Sequence, residues 1–191
     1  MINDSSTLHI VGICGSLRKA SYNSKLLAAA SEMLPSHVKY TTADISKLPI
    51  YNQDLEKEFP VSVEELVTLA KSADGFIFVT PEFNFTISAA LKNSLEWLSR
   101  STYGAPLARK PVAITGATLG AYGTSKAQVH LRDILHGLDM RPVSRPEVLV
   151  PFVAQKFSEN GKITDEVTRD FLKQLIDNLV QWTMQLESLN G

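Results

Sequence analysis

Short apolar runs of strand length alternate along the chain with longer stretches in which apolar residues recur at helical spacing. The four strongest runs cover residues 8–13, 75–80, 111–115 and 147–150, and a weaker run covers residues 38–42. The helical positions are Leu26, Leu27, Ala30, Met33 and Leu34; Val63, Leu66, Val67 and Ala70; Leu91, Leu95 and Leu98; Val129, Ile134, Leu135 and Leu138; and Val167, Phe171, Leu175, Leu179, Trp182 and Leu186. This pattern predicts five alternating βα units.

The strongest strands are continuously apolar, as in residues 76–79, instead of alternating between apolar and polar positions. Such strands are buried on both faces, which predicts a parallel sheet covered by helices and therefore a three-layer α/β fold. Right-handed crossovers bring the loops that follow the strands to one edge, where ligands of such folds bind. We expect the loops beginning near Gly15, Pro81 and Gly116 to meet there.

The segment that follows the first strand, residues 15–24 (GSLRKASYNS), combines a glycine, an arginine and several hydroxyl and amide side chains. Asn23 or Ser24 would lie in the first turn of the next helix, where unpaired N–H groups and the helix dipole favour an anion. The segment therefore predicts a phosphate site. Ordinary helix capping and a solvated Arg18 explain the same residues. The segment has neither G-x-x-x-x-G-K-[ST] nor G-x-G-x-x-G spacing, so any phosphate pocket differs from those two types.

The two later loops add features that suit a flat heterocycle. Residues 81–85 combine a proline that fixes the backbone, two aromatic rings and Asn84, whose amide both donates and accepts hydrogen bonds. Residues 116–124 are rich in glycine, so their backbone can approach a ligand closely. An aromatic lid on the core and a flexible turn are the alternative interpretations. Together with the first segment, the loops outline one elongated nucleotide.

Composition narrows the function classes. The chain has 191 residues, 44% of them hydrophobic, which suits one domain over residues 1–191 with a flexible N-terminus at residues 1–7. Nineteen basic and twenty acidic residues leave no surplus for a nucleic-acid partner. No apolar stretch approaches the roughly 18 residues of a membrane span, and the polar start lacks a signal-peptide core. We expect a cytoplasmic protein that binds neither membrane nor nucleic acid.

Cysteine and histidine usage bears on redox and metal chemistry. The single cysteine, Cys14, excludes an internal disulfide and a CxxC pair, and the four histidines show no metal-ligand spacing. We therefore expect no metal site. Redox activity would have to come from a bound cofactor.

Three segments resemble the NAD(P)H-dependent FMN reductase family, in particular its quinone and chromate reductase branch. They are GSLRKASYNS, PEFNFTISAALKNSLEWLSR and the stretch that ends at residues 128–132, and the resemblance extends from Ile10 to the last helix. It implies a flavodoxin-like fold with a five-stranded parallel sheet of order 2-1-3-4-5, which agrees with the alternation of elements. It also implies FMN as the cofactor.

The resemblance also implies roles for individual residues. Those that would hold the FMN phosphate are Ser16, Arg18, Asn23 and Ser24. Those that would run along the isoalloxazine ring are Pro81, Glu82, Phe83 and Asn84, with Glu82 contributing its backbone because its charge would repel an electron-rich flavin. Those near the pyrimidine end would be Thr118 and Gly120. The chain departs from the family pattern at Ala20, Phe83 and Thr124, and Ser88-Ala89 replaces a Pro-Gly pair.

The activity that follows from the resemblance is a ping-pong reductase. It would pass hydride from NADPH or NADH through FMN to a quinone, azo, chromate or flavin acceptor, and no side chain is assigned a catalytic role. The alternative is a flavodoxin-like electron carrier or regulatory flavin-binding module without NAD(P)H turnover. Leu91, Leu95 and Leu98 suffice for one helix face, which leaves Trp97 for a second surface; capping of the core by Trp97 is the alternative interpretation. With the resemblance, this predicts a homodimer or homotetramer.

Overall fold

The computed structural model describes residues 7–190, which form a six-stranded sheet with helices on both faces. The strands are β1 (His9–Cys14), β2 (Lys39–Thr42), β3 (Gly75–Val79), β4 (Pro111–Ala117), β5 (Arg141–Pro142) and β6 (Val148–Val150). The α-helices are α1 (Tyr22–Glu32), α2 (Val61–Ser72), α3 (Ala89–Leu98), α4 (Ser125–Gly137) and α5 (Glu166–Asn190). Of the expected flexible N-terminus, residues 1–7, only the exposed Thr7 lies within the described residues.

The sheet is parallel and its strands run in the order β2-β1-β3-β4, with β5 and β6 both paired to β4. The expected order is therefore confirmed, and the fifth position is divided between two short strands. Strand β5 pairs with the start of β4 at Pro111 and Val112, and β6 pairs with its end from Thr115 onward.

Both faces of the sheet carry apolar cores, as the continuous strands predict. Strand β3 is buried along its whole length. Phe76 and Phe78 pack with α2, α3 and α4 on one face, whereas Ile77 and Val79 pack with α1 and α5 on the other. This alternation buries every β3 side chain and gives the three layers that the sequence predicts.

Trp97 lies in the core, so the proposal that it serves a second surface is wrong. Its side chain is 0% exposed, and its indole Nε1 donates to the Pro49 carbonyl at 2.9 Å. Asn93, one turn earlier on α3, bonds the same carbonyl and also accepts from the Tyr51 N–H at 2.7 Å. The segment before α2 thus covers the face of α3 that would otherwise be open.

Candidate active site

Three loops meet at the carboxyl edge of the sheet: the first loop (residues 15–21) after β1, the second loop (residues 80–88) after β3, and the third loop (residues 118–124) after β4. They enclose a cavity of about 270 Å³. Its lining residues are Ser16, Arg18, Ser21, Tyr22, Asn23, Pro81, Glu82, Phe83, Ala117, Thr118, Leu119 and Val153. The edge is the one expected from the crossover rule.

The cavity brings together most of the predicted site residues. It unites Ser16, Arg18, Asn23, Pro81, Glu82, Phe83 and Thr118. Ser24, Asn84 and Gly120 belong to the same three segments but do not line it. The sequence assigned no role to the other lining residues: Ser21, Tyr22, Ala117 and Leu119 lie within the segments that it singled out, and Val153 lies outside them.

The first loop starts at a glycine that lies close to Ser88, the residue before α3. The Gly15 N–H donates to the Val79 carbonyl at 2.8 Å, and a Cβ at position 15 would lie 2.7 Å from Ser88 Oγ. Ser88 Oγ donates to the Gly15 carbonyl at 2.6 Å and accepts from the Leu91 N–H in α3. The serine that replaces the family's proline thus joins the first loop to the start of α3.

Arg18 is the cation of the cavity. Its side chain is exposed, and Nη2 donates to the Ala20 carbonyl at 2.7 Å. Within residues 7–190, the Ala20 carbonyl is the hydrogen-bond acceptor of the Arg18 guanidinium, which has five N–H donors in all. The first turn of α1 carries no acidic side chain. The positive helix end and Arg18 together favour an anion here.

Ser21 caps α1, and Asn23 and Ser24 lie in the first turn of the helix, as the sequence predicts. Its Oγ accepts from the N–H groups of Asn23 and Ser24 at 3.1 and 3.3 Å. The Asn23 amide donates to the Ala117 carbonyl at 3.1 Å and accepts from the Ala117 N–H at 2.9 Å. Asn23 therefore joins α1 to the end of β4, and its amide keeps one N–H for a ligand. Ser24 is exposed, with its Oγ 3.5 Å from Cys14 Sγ.

The tip of the second loop is a tight two-residue hairpin. Phe83 and Thr86 exchange both backbone hydrogen bonds at 3.0 Å, and Asn84 and Phe85 between them have φ of 49° and 67°. Positive φ at both central residues is the mark of a type I′ turn, which suits Asn84 and is costly for Phe85. The turn leaves Asn84 exposed outside the lining, whereas Phe83 lines the cavity with a ring that is 60% exposed.

The Glu82 side chain points to the third loop. Its Oε2 accepts from the backbone N–H groups of Lys126 and Ala127, both at 3.0 Å. The carboxylate is thus bound at the start of α4. The expectation that Glu82 contributes its backbone to a ring contact stays a prediction.

The third loop is fastened to the chain after β6. Thr118 N–H donates to the Val150 carbonyl and Val153 N–H to the Thr118 carbonyl, both at 3.0 Å. The Phe152 N–H donates to the Gly120 carbonyl at 3.1 Å. This pairing brings Val153 into the lining. Gly120 faces open space, since a Cβ there would meet nothing within 4 Å.

Tyr40 is an ionisable side chain that lies against β1. Burial raises the pKa of Tyr40, which lies against Gly12 in β1, so its phenol is neutral at physiological pH. Within residues 7–190, no three His, Cys, Asp or Glu side chains are grouped so as to hold a metal ion. None of the described helices is both long and apolar enough to cross a membrane.

Comparison with known proteins adds relatives that cover nearly the whole chain. The chain is 38% identical over 183 residues to an NAD(P)H-dependent FMN reductase of Pseudomonas aeruginosa, a match that covers 95% of this chain and 98% of that protein. It is 36% identical over 175 residues to a 2-hydroxy-1,4-benzoquinone reductase of a Burkholderia species, covering 92% of this chain and 96% of the relative.

Solved structures agree on the fold. The flavoenzyme NAD(P)H:(acceptor) oxidoreductase FerB of Paracoccus denitrificans superposes with a TM-score of 0.86 and 30% identity, covering 93% of this chain and 98% of that one. A flavodoxin from the domain Archaea, at 10% identity and a TM-score of 0.63 over 93% and 99% of the two chains, shares the fold alone. A family model described as NADPH-dependent FMN reductase matches residues 8–155. The flavodoxin-like fold and the resemblance are thereby confirmed, and the chain belongs to the NADPH-dependent FMN reductase family of oxidoreductases.

Proposed function

We propose that this chain is a single-domain reductase that binds FMN in the three-loop cavity and passes two electrons from NADPH or NADH to a small-molecule acceptor. The observation that carries the proposal is the composition of one cavity: Arg18 and the first turn of α1 supply an anion site, and Phe83 supplies an aromatic surface. A flavin mononucleotide has both a phosphate and a flat ring system. The donor set therefore fits the cofactor.

Four of the lining residues have a task in this proposal. Arg18 neutralises the phosphate, and Ser16 and Tyr22, which also line the cavity, are proposed to donate from a hydroxyl and a backbone N–H. Asn23 holds the floor of the cavity through Ala117. Bound FMN supplies the hydride and electron chemistry, whereas the protein holds the ring and keeps bulk water from its buried side. The proposal assigns no side chain a proton-transfer role.

The acceptor class follows from the relatives. The Burkholderia relative is named for a hydroxybenzoquinone, and a 36% identical relative in Escherichia coli is named a quinone reductase. A quinone is therefore the first acceptor to test, followed by azo, chromate and free flavin acceptors. With one open ring face, donor and acceptor use the same space in turn. Initial rates at several fixed quinone concentrations are then expected to give parallel double-reciprocal lines, and intersecting lines would require a ternary complex.

A flavodoxin-like electron carrier or regulatory flavin-binding module is the second candidate. Its support is the fold alone, because flavodoxins share it. A carrier usually docks through an acidic surface, and nineteen basic against twenty acidic residues do not favour one. Bleaching of the flavin bands by NADPH supports the reductase, and a coloured protein that NADPH does not bleach supports the carrier.

We also propose that the protein is cytoplasmic and that it forms a homodimer or a homotetramer. Exposed apolar side chains surround the cavity mouth, namely Phe83, Phe85, Leu119 and Tyr122, each more than half exposed. Clusters of this kind are typical of interaction surfaces. Light scattering on the purified protein measures the subunit number, and cell fractionation measures the location.

The decisive experiment compares two neighbouring cations of the first loop. Arg18→Ala is expected to weaken FMN binding about 10- to 100-fold, because one charge-assisted hydrogen-bonding partner typically contributes about 1.5 to 3 kcal/mol. Lys19→Ala is the matched control, since Lys19 is equally exposed but does not line the cavity. A fluorescence titration gives both affinities. Equal affinity in Arg18→Ala and the parent would place the phosphate elsewhere.

A further inference from the structure

The start of α4 is capped by a residue from another loop. Thr124 precedes the helix with φ of 69°, and its side chain makes no hydrogen bond to the first turn. Thr124 Oγ1 accepts instead from Gln128 Nε2 at 2.9 Å, and the side chain is fully buried. The N–H groups at the second and third helical positions, which a capping side chain normally binds, belong to Lys126 and Ala127.

Glu82 takes the place of the missing cap. Its Oε2 accepts both N–H groups at 3.0 Å, although it is more than forty residues away in sequence. A carboxylate also interacts favourably with the positive end of the helix dipole. One side chain of the second loop therefore holds the end of the third loop, where α4 begins.

A second contact, between the Lys126 ammonium group and two aromatic rings, also joins the second loop to the third loop and α4. Lys126 Nζ lies 3.5 Å from the centroid of the Phe85 ring and 5.4 Å from that of Tyr122. The two rings themselves meet edge to face with centroids 6.5 Å apart. Because Phe85 is in the second loop and Tyr122 in the third, Glu82 and Lys126 together span the mouth of the cavity.

We propose that Glu82 is a positioning residue, which holds the second loop against α4 and thereby sets the width of the cavity that receives the flavin ring. Glu82 acts through the backbone of Lys126 and Ala127, not through contact of its carboxylate with the reacting atoms. The inference rests on the proposed function for its consequence on FMN binding. The clamp itself is a property of the ligand-free chain and is tested there.

Two substitutions of Glu82 separate the effect of side-chain length from the effect of charge. Glu82→Gln keeps the length and an accepting oxygen but loses the charge, whereas Glu82→Asp keeps the charge but is one methylene shorter. A positioning role predicts that Gln preserves the clamp and that Asp, like Ala, loses it. A direct electrostatic role of the carboxylate on a bound ring predicts the reverse order.

The first measurement is amide hydrogen exchange of Lys126 and Ala127 in the FMN-free protein. We expect exchange about five- to tenfold faster in Glu82→Ala and Glu82→Asp, the usual size of a lost helix cap, and near-parental exchange in Glu82→Gln. Glu65→Ala, on the exposed face of α2, is the control and should leave both amides unchanged. Parental exchange in Glu82→Ala would overturn the clamp.

The second measurement is FMN affinity for the same variants, with the ratio of kcat to KM for NADPH. The proposal expects weaker FMN binding in the Ala and Asp variants and near-parental binding in Gln. Parental binding in all of them, despite faster exchange, would overturn the link between clamp and cavity. An Asp variant that works while Gln fails would overturn the positioning role. Failure of the parent itself to bind FMN would refute the proposed function, and the exchange data would still decide the clamp.

Discussion

Asn23→Ala tests whether the amide of Asn23 holds the floor of the cavity. The substitution removes two hydrogen bonds and leaves the N–H and C=O of Ala117 without partners, at positions where Asn23 and Ala117 are 5% and 4% exposed. A buried backbone group left unpaired costs about 1 to 3 kcal/mol. Both groups border the cavity, so water can reach them in part. We expect a loss of about 2 to 4 kcal/mol, a large share of the roughly 5 to 15 kcal/mol of a typical domain.

Asn93→Ala is the matched control, because Asn93 also binds one backbone N–H and one carbonyl, at Tyr51 and Pro49, but outside the cavity. Urea denaturation of both variants measures the free energy of unfolding, and unchanged m-values show that the comparison is valid. Both variants should lose stability, but only Asn23→Ala should also lose FMN affinity, about tenfold or more since Thr118 and Leu119 follow Ala117. A stability loss below about 0.5 kcal/mol in Asn23→Ala, the range of neutral surface changes, would refute the reasoning.

Two further predictions follow from packing. Gly15→Ala places a Cβ 2.7 Å from Ser88 Oγ and should destabilise the protein by about 1 to 3 kcal/mol. In Gly120→Ala the new Cβ faces open space, so the stability should stay within about 0.5 kcal/mol of the parent. Equal thermal midpoints for the two variants would contradict this prediction. Trp97→Phe loses the bond to the Pro49 carbonyl and part of a buried ring, so the thermal midpoint should fall while the subunit number by light scattering stays the same. A change of subunit number at an unchanged midpoint would return Trp97 to a surface.

The fold could be predicted because its strongest signal is local. Strand β3 is buried on both faces, and only a covered parallel sheet explains such a run. The buried face of α5 was harder to predict from the sequence. Val167 and Phe171 fit the helical spacing but are 62% and 48% exposed, whereas the buried face runs through Leu172, Leu175, Ile176 and Leu179. Apolar residues occupy both faces of this helix, so only the position of the sheet decides which face is covered.

The sequence predicts those parts of the site that depend on residues within a single loop. The hydroxyl, amide and aromatic residues after β1 and β3 identify the cavity, but the partners of those residues lie elsewhere in the chain. Asn23 binds Ala117, and Val153 enters the lining through pairing with Thr118, contacts that no local spacing encodes. Asn84 was predicted to contact the ring, but it is exposed at the tip of a two-residue turn between Phe83 and Thr86 and does not line the cavity.

The hairpin tip at Asn84 and Phe85 differs from the surrounding segments in how its backbone is held. Its backbone bonds join Phe83 to Thr86 and to nothing across the cavity, whereas Glu82 and Asn23 fasten the surrounding segments to α4 and β4. Phe85 packs against Lys126 and Tyr122 across the cavity mouth, so the tip position that can vary between related proteins, or be randomised in a library, is Asn84, which is exposed outside the lining. Selection for a new electron acceptor would then act on Asn84 first, because a change there alters the entrance without removing a contact that spans the cavity mouth.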